Sequence, residues 1–470
     1  MSDKEVNIEG CMKLALTLLK ISGILPFGHT SKASAVVSKS YYFISKLGIW
    51  YFTFGIPIKI YKSLDQLENM VEMGILLLVH LNILMKRYTL MIRKDDLARL
   101  IDMVKSNFFI HREVLTSEKI TVIKSSLKYA KYFNTTLAIM IGIGFIFYTD
   151  LGPIITAGYE EVENTSNSSL SNQTSYLYKM RLPVETWFPF DTSQSPGFEI
   201  AYFSLTVMCQ IEGVNMIATD VMFITIIIYI TGQFELLSDA LTNMSRNVKL
   251  RMKEEGRLYY EEGTKGAAHQ EDVEETAADE TPPPSLQTDH LELISKEKWE
   301  QSIEIPSNLK TNIFREEEIY IMECIRHHQS LIESSRRLSE LWKTIFFVQC
   351  ITASILICFI GFEAMMVPLD STFVTTMIFL TCCVFQLALY CMFGSNLMTQ
   401  SEEVHNAAYN SDWYGYSDSV KISIKMIIMR AQRPMQITAG KFGTVSWPLF
   451  ASMMKTSYSY LALLKQLQEE

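Results

Sequence analysis

The sequence predicts an all-α, polytopic seven-helix membrane protein with a cytosolic N-terminus and an extracellular C-terminus. Three observations carry this: apolar residues gather in blocks of about 20, three glycosylation sequons crowd one segment between blocks, and basic residues crowd another. A block of that length crosses a hydrocarbon core of about 30 Å, and a soluble helix seldom stays apolar on every face for so long. Apolar residues make up 48% of the 470-residue chain. Their clustering, more than their total, excludes a string of soluble domains.

Residues 1–40 read as a cytosolic N-terminal segment. MSDKEVNIEGCM is polar, and KLALTLLKISGILPF reads as an interfacial helix stopped near Pro26 and Gly28, without the small-residue cleavage site of a signal peptide. Transmembrane helices one to four fall within 41–230, at 41–61, 74–85, about 135–155 and 201–230. Pro57 is placed to bend the first. The second is short and spans only if it extends towards Met91. The fourth contains Glu212 and Asp220, which are costly in hydrocarbon and are expected to face a cavity or a polar partner. The fifth and sixth occupy 344–367 and 373–394, and a more polar seventh lies at 445–467. Helical periodicity over 312–341 predicts that the fifth projects into the cytosol as one long helix.

Orientation follows from two independent signals. Asn164, Asn167 and Asn172 each open a sequon in the loop 158–199, which assigns that loop to the glycosylated face. The same loop has only Lys179 and Arg181, whereas residues 86–131 contain eleven Lys and Arg, beginning with Lys86 and Arg87. Positive charge marks the cytosolic side, so both signals agree. An extracellular N-terminus of the G-protein-coupled type is excluded by both.

Segment 231–311 is expected to be a cytosolic loop. Between Glu254 and Glu280 it has ten acidic and two basic residues, followed by three prolines, a composition that cannot bury enough apolar surface to offset its ordering entropy. Its acidic spacing does not match an EF-hand. The eight cysteines lack a CxxC pair and read as small buried hydrophobes, with no metal or disulfide framework. No phosphate loop, HExxH or GxSxG motif is present, so an enzyme is not expected, and no cofactor is implied. Two matching halves with broken helices, the mark of a secondary transporter, are absent as well.

In the seventh span Ser452, Thr456 and Ser459 share a face that Leu463 and Leu467 continue. Hydroxyls followed by leucines suit a water-filled conduit with a hydrophobic constriction. Helix packing through small residues explains the same spacing, and periodicity leaves both readings open.

The C-terminal third resembles the insect odorant receptor family. The similar residues are Cys391-Met-Phe-Gly394-Ser-Asn-Leu397, Ser401-Glu402, Ala408-Tyr409, Trp413-Tyr414, Thr438-Ala-Gly-Lys-Phe-Gly-Thr-Val-Ser446, Leu449-Phe-Ala-Ser452 and Ser457-Tyr-Ser-Tyr460. The run Leu182-Pro-Val-Glu-Thr-Trp187-Phe-Pro-Phe-Asp191, ahead of the fourth span, is similar too. The resemblance implies an odorant-gated, non-selective cation channel of four subunits, permeable to monovalent and divalent cations. It is expected as a homotetramer or as a heterotetramer with the family's coreceptor, in the plasma membrane of sensory neuron dendrites and in contact with membrane lipid. No nucleic-acid partner is implied. Segment 312–440 holds helices five and six with the cytosolic anchor region, in which 312–343 becomes the cytosolic start of helix five and 395–440 anchor material, and 441–470 becomes a pore-lining helix. Ser452, Thr456, Ser459 and Gln466 then line the pore, with Leu463 and Leu467 as its gate.

A volatile organic ligand binds chiefly by desolvation in an apolar pocket with few polar groups. The resemblance points to His80 and Leu84, Phe147, Tyr148 and Asp150, Met208 and Glu212, and Phe385 and Gln386, although core packing accounts for any one of them singly. The long acidic loop departs from the family's usual tuning receptors. A gustatory-type channel of the same superfamily, or a membrane transporter, is the alternative.

Overall fold

A computed structural model describes residues 8–25, 32–62, 67–107, 117–146, 158–162, 175–179, 182–184, 186–192, 194–254, 307–367, 369 and 371–469. Helices run in the order α1 (Ile8–Ile21), α2 (Lys32–Lys62), α3 (Leu67–Ile92), α4 (Lys94–Asn107) and α5 (Ser117–Ile146). After these come α6 (Gly197–Thr242), α7 (Met244–Glu254), α8 (Ser307–Met366), α9 (Ser371–Tyr409), α10 (Asp418–Ala431) and α11 (Trp447–Glu469). Between α5 and α6, strands β1 (Gly158–Val162) and β2 (Ser175–Lys179) pair antiparallel, with Gly158 opposite Lys179. The three sequon asparagines lie between these strands, outside the described residues, as does most of the acidic segment.

By length and composition, α3 from Met70, α6, α8 and α9 can cross a membrane. With α2, α5 and α11 they make seven helices of 23 or more residues, one for each expected span. The short second span does extend, as α3 continues to Ile92. Three helices far exceed a bilayer: α6, α8 and α9 have 46, 60 and 39 residues, or about 69, 90 and 58 Å at 1.5 Å per residue. Their surplus all projects to one side, since the polar ends are the C-terminal parts of α6 and α9 and the N-terminal part of α8. The apolar run of α6 was expected to end near 230. Leu236, Leu237, Ala240 and Leu241 prolong its buried face to Thr242, and the helix continues through Gly232.

This projecting part is a helical stem around α6. Within it, His327 contacts Gln233 at 3.0 Å, Asn247 donates to Tyr320 at 3.1 Å, and Arg251 pairs with Glu323 at 3.2 Å. Arg93 joins α4 to α8 by donating to the Glu340 carbonyl at 2.6 Å. It also donates to Asp96, the main cause holding that exposed carboxyl below its ordinary range. Ser417 caps α10 by accepting from the Val420 amide. The interfacial helix expected at the N-terminus is α1, and its apolar face does not lie free. Met12, Ala15 and Leu19 are buried in the main core against α5 and α6.

The last helix is placed by two glycines. Gly440 has φ +58°, a left-handed turn, with Phe347 against it. At Gly394 on α9 the Val445 carbonyl comes so close that a Cβ would collide with it. Gly394→Ala is therefore expected to destabilise the protein by about 1–3 kcal/mol, seen as a lower melting temperature. Gly74→Ala, where nothing lies within 4 Å of the added carbon, should leave the melting temperature unchanged or raised.

Candidate functional site: a lipid-depth cavity with two polar tiers

A cavity of about 190 Å³ lies among α2, α3, α5, α6, α8 and α9, above the stem. Its walls are apolar: Phe52 and Ile56 on α2, Leu76 and Val79 on α3, Met140 and Ile141 on α5, and Ile378 and Phe379 on α9 among them. Val184 reaches it from segment 182–192, which is strapped to α2. There Tyr51 donates to the Trp187 carbonyl, the Trp187 amide donates to the Gly55 carbonyl at 3.3 Å, and the Lys62 ammonium lies 5.4 Å from the Trp187 ring centroid.

Polar side chains enter the cavity at two levels. At the level farther from the stem, the His80 Nδ1 lies 2.5 Å from Glu212 Oε1 and its Nε2 3.0 Å from Thr53 Oγ1. The second level lies two helical turns nearer the stem. Lys86 donates to Asp220 Oδ1 at 2.8 Å and to the Tyr390 hydroxyl at 3.0 Å. Gln386 donates to the other Asp220 oxygen at 2.5 Å. Asn82 donates to Gln349 at 2.8 Å, and Gln349 to Gln386 at 3.4 Å. This network joins α3, α6, α8 and α9. Beneath it, Phe223, Trp342, Phe346 and Tyr390 pack ring against ring, with centroids 4.8–6.0 Å apart. Lys86 and Asp220 have side-chain exposures of 2% and 5%. A charge so deep is tolerable only when paired and hydrogen-bonded.

Of the residues expected to bind ligand, His80, Glu212, Phe385 and Gln386 line the cavity. Leu84 does not. The lining stripe of α3 runs through Leu76, Val79, His80, Ile83 and Lys86, and Leu84 sits past its edge. Met208 does not either, because it faces α2, with its sulfur filling the space left by Gly48. Phe147, Tyr148 and Asp150 lie outside the described residues. Asp220, expected to face a cavity or a polar partner, does both. Lys86 was counted as a cytosolic loop charge, and Arg87 with it. Both are buried within α3, where Arg87 donates to Ser45 at 3.0 Å. Five cysteines are buried as expected, and one of them, Cys209, is part of the cavity wall together with the less buried Cys382 and Cys383.

On α11, Met453 and Ser457 are buried, and Ser457 donates to the Ser354 carbonyl of α8 at 3.2 Å. Leu461 packs on α8 where Gly361 removes a side chain. Ser452, Thr456, Ser459, Leu463 and Gln466 are exposed and face away from that contact. The side chain of Leu467 lies outside the described residues.

A polytopic all-α membrane protein with a ligand-sized apolar cavity and a protruding helical stem is the class of receptor that the geometry defines. The family model for the 7tm Odorant receptor matches residues 66–458, and the chain belongs to that family. It is similar to the odorant receptor coreceptor of Aedes aegypti, 24% identical with 71% of each chain covered. Similarity extends to odorant receptor 83a of Drosophila melanogaster, 22% identical over 61% of this chain and 60% of that one. Its fold is similar to that of the insect olfactory receptor OR5 from Machilis hrabei, with TM-score 0.69 and 18% identity over 99% of this chain and all of the other. A second structure of that receptor, in complex with eugenol, matches with TM-score 0.68, 18% identity and the same coverage. The protein is accordingly an odorant receptor of the ion-channel type and not an enzyme.

Removing one partner of the buried ion pair should be severe. Lys86→Met leaves Asp220 without its cation and is expected to cost about 3–5 kcal/mol, read as a large fall in melting temperature. The double variant Lys86→Met/Asp220→Leu should recover most of that loss.

Proposed function

We propose that this chain is a subunit of an odorant-gated, non-selective cation channel, with the cavity as its ligand site and α11 as its pore helix. The observation that carries the reading is one of contact: α8 lines the cavity at Gln349, Ala353 and Leu356, and on another face it packs directly against α11, at Ser354 within the same turns and at Gly361 beyond them. A ligand opens the channel only through its different affinities for the open and closed arrangements. The Asp220 network gives those arrangements a shared joint across four helices. Leu463 and Leu467 form the constriction, with Ser452, Thr456, Ser459 and Gln466 along the wetted wall.

The N-terminus is cytosolic, seven helices cross the membrane and the C-terminus is extracellular. The stem then lies in the cytosol, where four subunits meet as a homotetramer or with the coreceptor. Exposed Ile422, Met426 and Met429 repeat along one side of α10, and Tyr409, Trp413 and Tyr414 are exposed beside it, which supports an assembly face there. Family membership favours this reading over the gustatory and transporter alternatives.

Whole-cell recording tests it directly. Cells expressing the chain alone or with the coreceptor should pass cation current on exposure to volatile ligands. Thr456→Cys and Leu463→Cys should let a bulky charged thiol reagent block most of that current. Current in the unsubstituted channel should be spared. Reagent-insensitive current in both variants would show that this face of α11 does not line the pore.

A further inference from the structure

We propose that Glu212 selects ligands carrying one neutral hydroxyl donor, alcohols or phenols, on an otherwise apolar body. The selectivity arises from the hydrogen placement in Thr53, His80 and Glu212, and it rests on the cavity being the ligand site.

The hydrogens can be counted along the chain of contacts. Thr53 Oγ1 lies 2.8 Å from the Ile49 carbonyl, which can only accept, so the hydroxyl's one hydrogen is engaged there. Towards His80 Nε2, 3.0 Å away, Thr53 must then act as acceptor, which places a hydrogen on Nε2. With Nε2 protonated, the 2.5 Å contact between Nδ1 and Glu212 Oε1 needs a hydrogen of its own, because two bare lone pairs would repel. Imidazole and carboxyl therefore share one proton, and the pair is electroneutral as a unit.

That arrangement leaves Glu212 Oε2 as an acceptor with no hydrogen-bond partner among the described residues, on a side chain that lines the cavity and is 12% exposed. Asp220 does not compete for a ligand hydrogen, since both its oxygens already accept, one from Lys86 and the other from Gln386. An ammonium ligand finds no uncompensated negative charge. His80–Glu212 is neutral, Lys86–Asp220 is neutral, and the nearby Arg87 cation already interacts with Glu212 electrostatically. A neutral hydroxyl adds a hydrogen bond at Oε2 with no change of charge. An ether of the same skeleton fits the same apolar walls but leaves Oε2 desolvated and unpaired, which is where a site built around a hydroxyl discriminates most.

The test uses the purified full-length chain in lipid nanodiscs, with dissociation constants taken from ligand-dependent thermal stabilisation for 1-hexanol, 1-methoxyhexane and hexylamine. The unsubstituted protein should bind 1-hexanol at least about tenfold more tightly than either other compound. Glu212→Leu should bring the alcohol and the ether to within about twofold, whereas Glu212→Gln, which keeps a carbonyl acceptor, should retain most of the preference. Equal binding of alcohol and ether by the unsubstituted protein would overturn the assignment while leaving the cavity as the ligand site, and that comparison needs no variant to fold. Tightest binding of hexylamine, or an unchanged preference in Glu212→Leu, would overturn it as well. If no compound stabilises the protein, the cavity itself is not the ligand site, and both readings fall.

Discussion

The ion pair between Lys86 and Asp220 is the constraint on which the membrane half of this structure rests. Neither charge is tolerable alone at that depth, so α3 and α6 are held in the one register that joins them. Asp220 accepts from Gln386 as well, and Lys86 donates to Tyr390, which ties α9 to the same point. Gln349 brings in α8. The aromatic cluster of Phe223, Trp342, Phe346 and Tyr390 packs directly below and separates the joint from the stem. Four helices thus converge on a polar knot with a dry layer beneath it, and the cavity is the space that their divergence leaves above.

Two kinds of attachment bound that cavity. Towards the stem it is closed by side chains that satisfy one another. Away from the stem it is flanked by α2 and by segment 182–192, which touch through one main-chain hydrogen bond, the Tyr51 hydroxyl on the Trp187 carbonyl, and the ring of Trp187. The close approaches of Gly48 to Met208 and of Gly55 to Thr186 let α2 lie flush against this part. On another face of α8, Gly361 makes room for Leu461 of α11, a looser approach than those two. Small residues therefore occur where α2 closes on the cavity and where α8 meets α11, as expected when packing and not hydrophobic exclusion drives association in lipid.

Much of this was legible in the sequence, for physical reasons that can be named. Apolar blocks located the long helices, and the need for α3 to extend past Met85 was visible in its shortfall of length. Glu212 and Asp220 stood out because a carboxyl in an apolar block demands a partner. The identity of each partner was not legible, since no local pattern links His80 to Glu212 or Tyr51 to Trp187. Lys86 was misassigned because a lysine at the end of an apolar run resembles a topogenic charge. The signal that it is a lining residue was there in the spacing of Leu76, Val79, His80 and Ile83, which Lys86 continues. Leu84 and Met208 show the opposite error: each is within a turn of a true lining residue, but the cavity faces only part of each helix. Segment 231–311 was read as a loop from its first residue, whereas α6 runs on to Thr242 and α7 follows it, because the leucines of α6 keep its core side apolar.

Pairing Lys86 with Asp220 also bears on the electric field across the membrane. A single charge carried through the full potential does about 2.3 kcal/mol of work per 100 mV, enough to make any rearrangement around it depend on voltage. A lysine and an aspartate that move together transport no net charge. Through this pair, the membrane potential would do almost no work on any rearrangement about the joint.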